Sequence, residues 1–183
     1  WTFANIMADR VASHGNRVYL DVPSTGETYT YAKSADIAAR VASGLLARGL
    51  KPGDRLMFLM PNSSAFMFSW MATSLAGFVQ VPINTAYRGA FLEHQVRTTG
   101  PCMAIITAEF AERLVESREA CTSISRVFMV DESAEAERAL AGVAKTMSYY
   151  PLETVTIEGH AQGSENDAAK LEAISQHGAA LTL

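Results

Sequence analysis

Charge is scarce in this sequence, and what there is shows little organisation. Charged residues occupy 19% of 183 positions, and 15 basic against 19 acidic side chains leave a net charge of −4. No stripe of Lys and Arg is present, so a nucleic-acid surface is excluded as the main function. Cysteine is rarer still. Cys102 and Cys121 lie too far apart in sequence for a redox or zinc pair of the C-x-x-C type. Cys102 opens the apolar run Cys102-Met103-Ala104-Ile105-Ile106 and reads as a buried thiol in a reducing, cytoplasmic setting. The chain starts at Trp1 without the basic and apolar segments of a signal peptide, and the missing initiator Met reads as part of a longer chain.

Between Leu56 and Tyr87 charge is missing altogether. That stretch is longer than the ~20 residues a bilayer helix needs. Pro61-Asn62-Ser63-Ser64 and Gln80-Val81-Pro82 divide it into pieces too short to span, so no transmembrane segment is expected.

Phosphate and metal signatures are missing as well. There is no G-x-G-x-x-G after a strand and no G-x-x-x-x-G-K-[ST] loop. Ser24-Thr25-Gly26-Glu27-Thr28 has the composition of a phosphate loop, but it lies between two β-forming runs with no lysine after it. It reads as a hairpin turn. Leu92-Glu93-His94 lacks the second histidine of a zinc-protease helix, and His14, His160 and His177 have no partners at metal-ligand spacing. His94 reads as a surface histidine, with acid–base work as its alternative. Asn62-Ser63-Ser64 fits a glycosylation sequon and reads as a helix cap.

What is present is a regular alternation of elements. Phe3, Ile6, Met7 and Val11 predict a helix over Thr2 to Ala12. Arg17 to Val22 and Glu27 to Tyr31 read as a hairpin about Pro23-Ser24-Thr25-Gly26. Tyr31 to Arg48 is a helix with rows Ile37, Val41, Leu45 and Ala38, Ala42, Leu46, and Gly49 suits a left-handed cap. Lys51-Pro52-Gly53-Asp54 places Pro and Gly where a type II turn needs them. A strand over Arg55 to Met60 follows, then a helix capped by Asn62 or Ser63 and ended by Gly77. This helix is apolar on most sides and is expected to be buried. A strand Phe78 to Ile83, a helix Gly89 to Thr99, a strand Met103 to Ile106, a helix Ala108 to Glu119 and a strand Arg126 to Val130 complete the series. The expected fold class is α/β: a mostly parallel sheet flanked by helices, with right-handed crossovers. Beyond Asp131 the pattern changes. Glu132 to Leu140 reads as an exposed helix, Leu152 to Ile157 as a strand, Gly159 to Asp167 as a polar loop, and Leu171 with Ile174 as a short or frayed helix. The expected organisation is a domain over 1–130 and a peripheral extension over 131–183.

Four segments then occur in a telling order. They are Thr30-Tyr31 leading into a helix that ends Gly44-Leu45-Leu46-Ala47-Arg48-Gly49, Lys51-Pro52-Gly53-Asp54-Arg55, Met60-Pro61-Asn62-Ser63, and Ala76-Gly77 followed by Val81-Pro82-Ile83-Asn84-Thr85-Ala86-Tyr87-Arg88-Gly89. Together, from about Phe3 to Val130, they resemble the N-terminal region of the AMP-forming acyl-CoA synthetases of the adenylate-forming superfamily. The last phrase looks most like the carnitine/crotonobetaine and medium- to long-chain fatty-acid branches. Lys33-Ser34 departs from the pattern, since the family usually places an acidic and then an apolar residue there.

The resemblance implies a two-step ligase acting on a small-molecule carboxylic acid, with ATP, Mg²⁺ and CoA as cofactors. The family's phosphate loop (resembling T-S-G-T-T-G-x-P-K), its aromatic-Gly-x-Thr-Glu segment, its ribose-binding Asp and its C-terminal catalytic Lys are not found in these residues. The chain is therefore expected to be inactive alone, with no catalytic residue of its own, and the apolar face left by the missing part is expected to make it sticky or homo-oligomeric. The resemblance marks one ligand residue, Arg88. In some relatives a basic residue of this post-strand segment lies near the 3′-phosphate of CoA. Another alignment matches that residue to Ala86 and leaves Arg88 solvated or paired with Glu93. Two other functions stay open: a stand-alone α/β interaction domain derived from such an enzyme, and a flavodoxin-like nucleotide binder whose only strand-end candidate is Pro61-Asn62-Ser63.

Overall fold

The computed structural model describes residues 2–130 and the strand Leu152–Thr154. Two compact units divide the chain: among the described residues one gathers those up to Gly53 with Asn62–Val79, the other Asp54–Pro61 with those from Gln80 onward.

The first unit begins with helix α1 (Phe3–His14). Thr2 caps it by accepting from the Asn5 amide at 3.3 Å. Ala4 and Met7 are buried, whereas Ile6, expected on the same stripe, is 41% exposed. Strands β1 (Val18–Val22) and β2 (Glu27–Thr30) form the expected antiparallel hairpin. Tyr31 belongs to the next element. Helix α2 (Tyr31–Ala47) starts at Thr30, whose hydroxyl accepts from the Lys33 amide at 3.2 Å. It ends in a Schellman motif: Gly49 (φ +86°) donates to the Leu46 carbonyl at 2.9 Å and Leu50 to that of Leu45 at 3.4 Å. The Lys33-Ser34 departure has a physical consequence. Ser34 is fully buried and its hydroxyl has no partner among the described residues, so a polar atom sits unsatisfied in the core.

Helix α3 (Ser64–Ala76) packs against α2 and α1. Ser63, one of the two expected caps, accepts from the Phe66 amide at 3.2 Å. Edge-to-face pairs Phe3–Trp70 and Tyr29–Phe68, with ring centroids 5.3 and 4.9 Å apart, tie the helices and hairpin together. Gly77 closes α3 at φ +71°, and its carbonyl accepts from Gly53 at 2.8 Å. The Pro52-Gly53 turn, with Gly53 at φ +89°, is thereby pinned to the end of α3.

The second unit is a sheet of β3 (Arg55–Leu59), β4 (Val79–Pro82), β5 (Met103–Ile106), β6 (Arg126–Met129) and β7 (Leu152–Thr154) in the order β4-β3-β5-β6-β7. Strands β3, β5, β6 and β7 are parallel, in registers such as Leu56↔Met103, Met103↔Arg126 and Val127↔Leu152. On one face Met57, Leu59, Ala104, Ile106, Val127 and Met129 form a core with Leu92 and Val96 of α4 (Gly89–Thr99) and with Leu114 of α5 (Ala111–Glu116). Leu56, Phe58, Met103, Ile105 and Phe128, of opposite parity, are buried too. Parallel strands buried on both faces read as continuous apolar runs, which is how these strands read.

The expected helix Ala108 to Glu119 is shorter. A 3-10 turn over Ala108–Phe110 precedes α5, which stops at Glu116. Hydrogen-bonded turns then run from Ser117 through Ile124, with Cys121 accepting at 3.0 Å from Ile124. They deliver Cys121 and Ile124, both completely buried, into the core. Burying these two side chains outweighs extending a helix through Arg118 and Glu119, which are exposed. The expectations for Glu132 to Leu140, Gly159 to Asp167 and Leu171 to Ile174 lie outside the described residues, as does the end of the strand expected over Leu152 to Ile157. Among the described residues no helix is long and apolar enough to cross a membrane.

Candidate functional site

In the strand order, the chain goes from β3 to β4 on one side and returns past β3 to β5 on the other. Open α/β sheets place ligands at the carboxyl ends of strands where the order reverses. The segment after β4, Ile83 to Gly89, departs from this sheet and is tightly organised. Ile83 donates to the Phe58 carbonyl of β3 at 2.9 Å. Asn84 folds the next residues by accepting on its side chain from the Ala86 amide, and on its carbonyl from the Tyr87 amide, both at 2.9 Å. Arg113 of α5 donates to the Thr85 carbonyl, and its guanidinium lies 4.6 Å from the centroid of the Phe110 ring. The segment is thus held from both ends and from α5.

Arg88 ends this segment at the N-cap position of α4, in extended conformation (φ −142°, ψ 160°). Its side chain is exposed and has no partner among the described residues. The alternative pairing with Glu93 is not formed, because Glu93 lies 3.4 Å from Arg97. No side chain caps α4, so its first amides stay open beside the guanidinium. Tyr87 and Phe91 stack with centroids 6.0 Å apart, and Phe91 is 74% exposed. A forked cation, open helix-terminal amides and the exposed Phe91 ring suit a phosphate attached to an organic body.

The other candidates come apart. The Ser63 oxygen accepts in the α3 cap and Ser64 donates to Glu27 at 3.2 Å, so the hydroxyls beside Pro61-Asn62 are engaged in local structure. Ser24-Thr25-Gly26 is the hairpin tip, where Thr25 donates to Glu27 at 2.8 Å. His94 is exposed on α4. The expectation of a buried Cys102 is corrected: Cys102 is half-buried just before β5, and Cys121 is the fully buried thiol. Burial pushes the Cys121 thiol up to about 12, with the Glu93 charge adding to it. Burial first, then the Asp54 charge, raises Cys102. Neither is a nucleophile at neutral pH. Among the described residues no three His, Cys, Asp or Glu side chains gather as a metal site. Sequence reasoning missed Arg113, whose hold on Thr85 spans 28 residues and leaves no local signal.

Comparison with known proteins decides the family. The family model described as AMP-binding enzyme matches residues 7–171. The chain belongs to the AMP-binding enzymes. It is 34% identical over 117 residues to 4-coumarate–CoA ligase 3 of Arabidopsis thaliana, covering 64% of this chain and 21% of the relative. It is 39% identical over 87 residues to a feruloyl-CoA synthase of Amycolatopsis, covering 48% and 18%. A solved fatty acyl CoA synthetase of Mycobacterium tuberculosis superposes with a TM-score of 0.67 at 27% identity, covering 75% of this chain and 28% of that one. The chain therefore spans about a fifth of the length of the curated relatives it matches.

Proposed function

We propose that this AMP-binding chain is the N-terminal part of an acid–thiol ligase that joins a carboxylic acid to CoA. In the whole enzyme the carboxylate attacks the α-phosphorus of ATP, pyrophosphate leaves, and the CoA sulfur then displaces AMP from the acyl carbon. The observation that carries this reading is the family match over 7–171, because every relative reported above is by name a CoA ligase, synthase or synthetase. The acid is drawn from the arylpropenoic and fatty classes that those names mention.

In this reading Arg88 contacts a CoA phosphate, supported by its exposure, its lack of a partner and the open amides of α4. ATP and Mg²⁺ are held by residues other than those described here, and no step of adenylation runs through the sheet or its loops. By themselves the 183 residues do not adenylate, because positioned donors around a transferring phosphate are worth about 2.7–4 kcal/mol each. The extension over 131–183 then leads toward the ATP-binding part.

Acid-dependent exchange of labelled pyrophosphate into ATP by the intact protein tests the function. Exchange is expected with at least one arylpropenoic or fatty acid, and none from residues 1–183 alone. Absence of exchange with every acid favours the non-catalytic interaction domain. For Arg88, the Arg88→Ala variant is expected to raise the KM for CoA by about tenfold, one charge-assisted hydrogen bond, while exchange persists. An unchanged KM removes Arg88 from the CoA site.

A further inference from the structure

The first unit carries a second collection of uncommitted cations, remote in sequence from Arg88. Arg10 and His14 are one turn apart on α1 and share a face. Arg17 follows at the start of the hairpin, and Tyr31 opens α2. With Val18 they line an open depression of about 320 Å³. The turn that brings them together is rigid. A Cβ at Gly15 would lie 2.7 Å from the Val11 carbonyl oxygen, and only glycine fits there. The backbone amide of Arg17 donates to the His14 carbonyl at 2.8 Å, that of Tyr31 to the Arg17 carbonyl at 3.0 Å, and that of Ala32 to the Gly15 carbonyl at 3.0 Å. The first amides of α2 are thus already bonded, so any ligand is held by side chains.

Neither guanidinium has a partner among the described residues, in a chain whose net charge is −4. By contrast, Arg40 is paired with Asp36 at 3.1 Å and Arg97 with Glu93. His14 is also oriented. The Ser13 hydroxyl donates to the Asp9 carbonyl at 2.7 Å, so the Ser13 oxygen accepts from His14 Nδ1, also at 2.7 Å. That leaves Nε2 without a partner among the described residues. Tyr31 gives the depression an aromatic wall, backed by Tyr19 with ring centroids 4.9 Å apart.

We propose that the Arg10–His14–Arg17 depression binds a phosphate monoester with an apolar or aromatic body. Two forked cations match its oxygens, and the Tyr31 ring suits its organic part. The proposal does not depend on the ligase reading. The test is calorimetric titration of the intact protein with inorganic phosphate and with phenyl phosphate, plus sedimentation with phosphatidylcholine vesicles doped with phosphatidic acid. Saturable phenyl phosphate binding is expected, tighter than that of inorganic phosphate. Arg10→Ala and Arg17→Ala should each weaken it by about tenfold, the loss of one charge-assisted contact. Arg10→Lys and Arg17→Lys should weaken it less, and Arg40→Ala should leave it unchanged. Unaltered melting temperatures separate lost binding from lost folding. Vesicle binding abolished by Arg10→Ala assigns the ester to a lipid headgroup, and binding of the soluble probe alone assigns it to a free metabolite. Either supports the site. Absence of saturable binding, or equal weakening by Arg40→Ala, overturns it.

Discussion

The two compact units hold their helices by different means. In the first, all three helices among the described residues are capped by a hydroxyl, from Thr2, Thr30 and Ser63. A carboxylate, Glu27, collects further hydroxyls from Thr25, Tyr29 and Ser64. In the second, neither α4 nor α5 has a side-chain cap, and both hang on a sheet core in which Leu92, Val96 and Leu114 are completely inaccessible. The hydroxyl caps accompany burial and do not replace it: α2 and α3 each bury seven residues, whereas α4 buries two. The open terminus of α4 is therefore a local choice of side chain at Arg88.

This contrast is broken most severely by a cavity in the sheet. Ile106→Ala removes a side chain buried in the core of the second unit and is expected to cost about 2–5 kcal/mol in chemical denaturation. A loss below about 1 kcal/mol would mean that the core collapses around the gap. Capping gives a smaller effect of opposite sign in the two units. Ser63→Ala removes the α3 cap and is expected to cost about 1 kcal/mol. Arg88→Ser installs the missing hydroxyl at α4 and is expected to stabilise by up to about 1 kcal/mol while raising the KM for CoA. Destabilisation by Arg88→Ser would show that α4 is not limited by its terminus.

The smallest effect concerns pH. Hydrogen bonds from Thr25 and then Tyr29 hold the Glu27 carboxyl below its ordinary range. Its folded value lies below its unfolded value, so its stabilisation is present above the ordinary glutamate range and is lost as pH falls through the folded value. Glu27 is exposed, so the loss is slight. Thermal melts between neutral and acidic pH should show a shallower acid-side slope for Glu27→Gln than for the native sequence. Superimposable slopes would mean that the hydroxyl cluster does not act on stability.

Much of the architecture was legible because its signals are local. Pro52-Gly53, Gly49, Gly77 and Ser63 each require a particular backbone or hydrogen bond within a few residues, and each stands where the sequence puts it. The parallel sheet was legible in the unbroken apolar runs of β3 and β5. Features set by tertiary burial were not. The early end of α5 depends on Cys121 and Ile124 reaching the core, and the exposure of Ile6 depends on which face of α1 meets its neighbours. Arg88 was singled out as a candidate by the wording around it, whereas the Arg113 contact and the convergence of Arg10, His14 and Arg17 arise only on folding.

Product analysis tests the central claim most directly. The intact protein would be incubated with ATP, Mg²⁺, CoA and, in turn, 4-coumarate, ferulate and a fatty acid, and nucleotide and thioester would be quantified by mass spectrometry. The account predicts acyl-CoA and AMP in equal amounts with at least one acid. Formation of ADP in place of AMP, or no thioester with any of these acids, would contradict it.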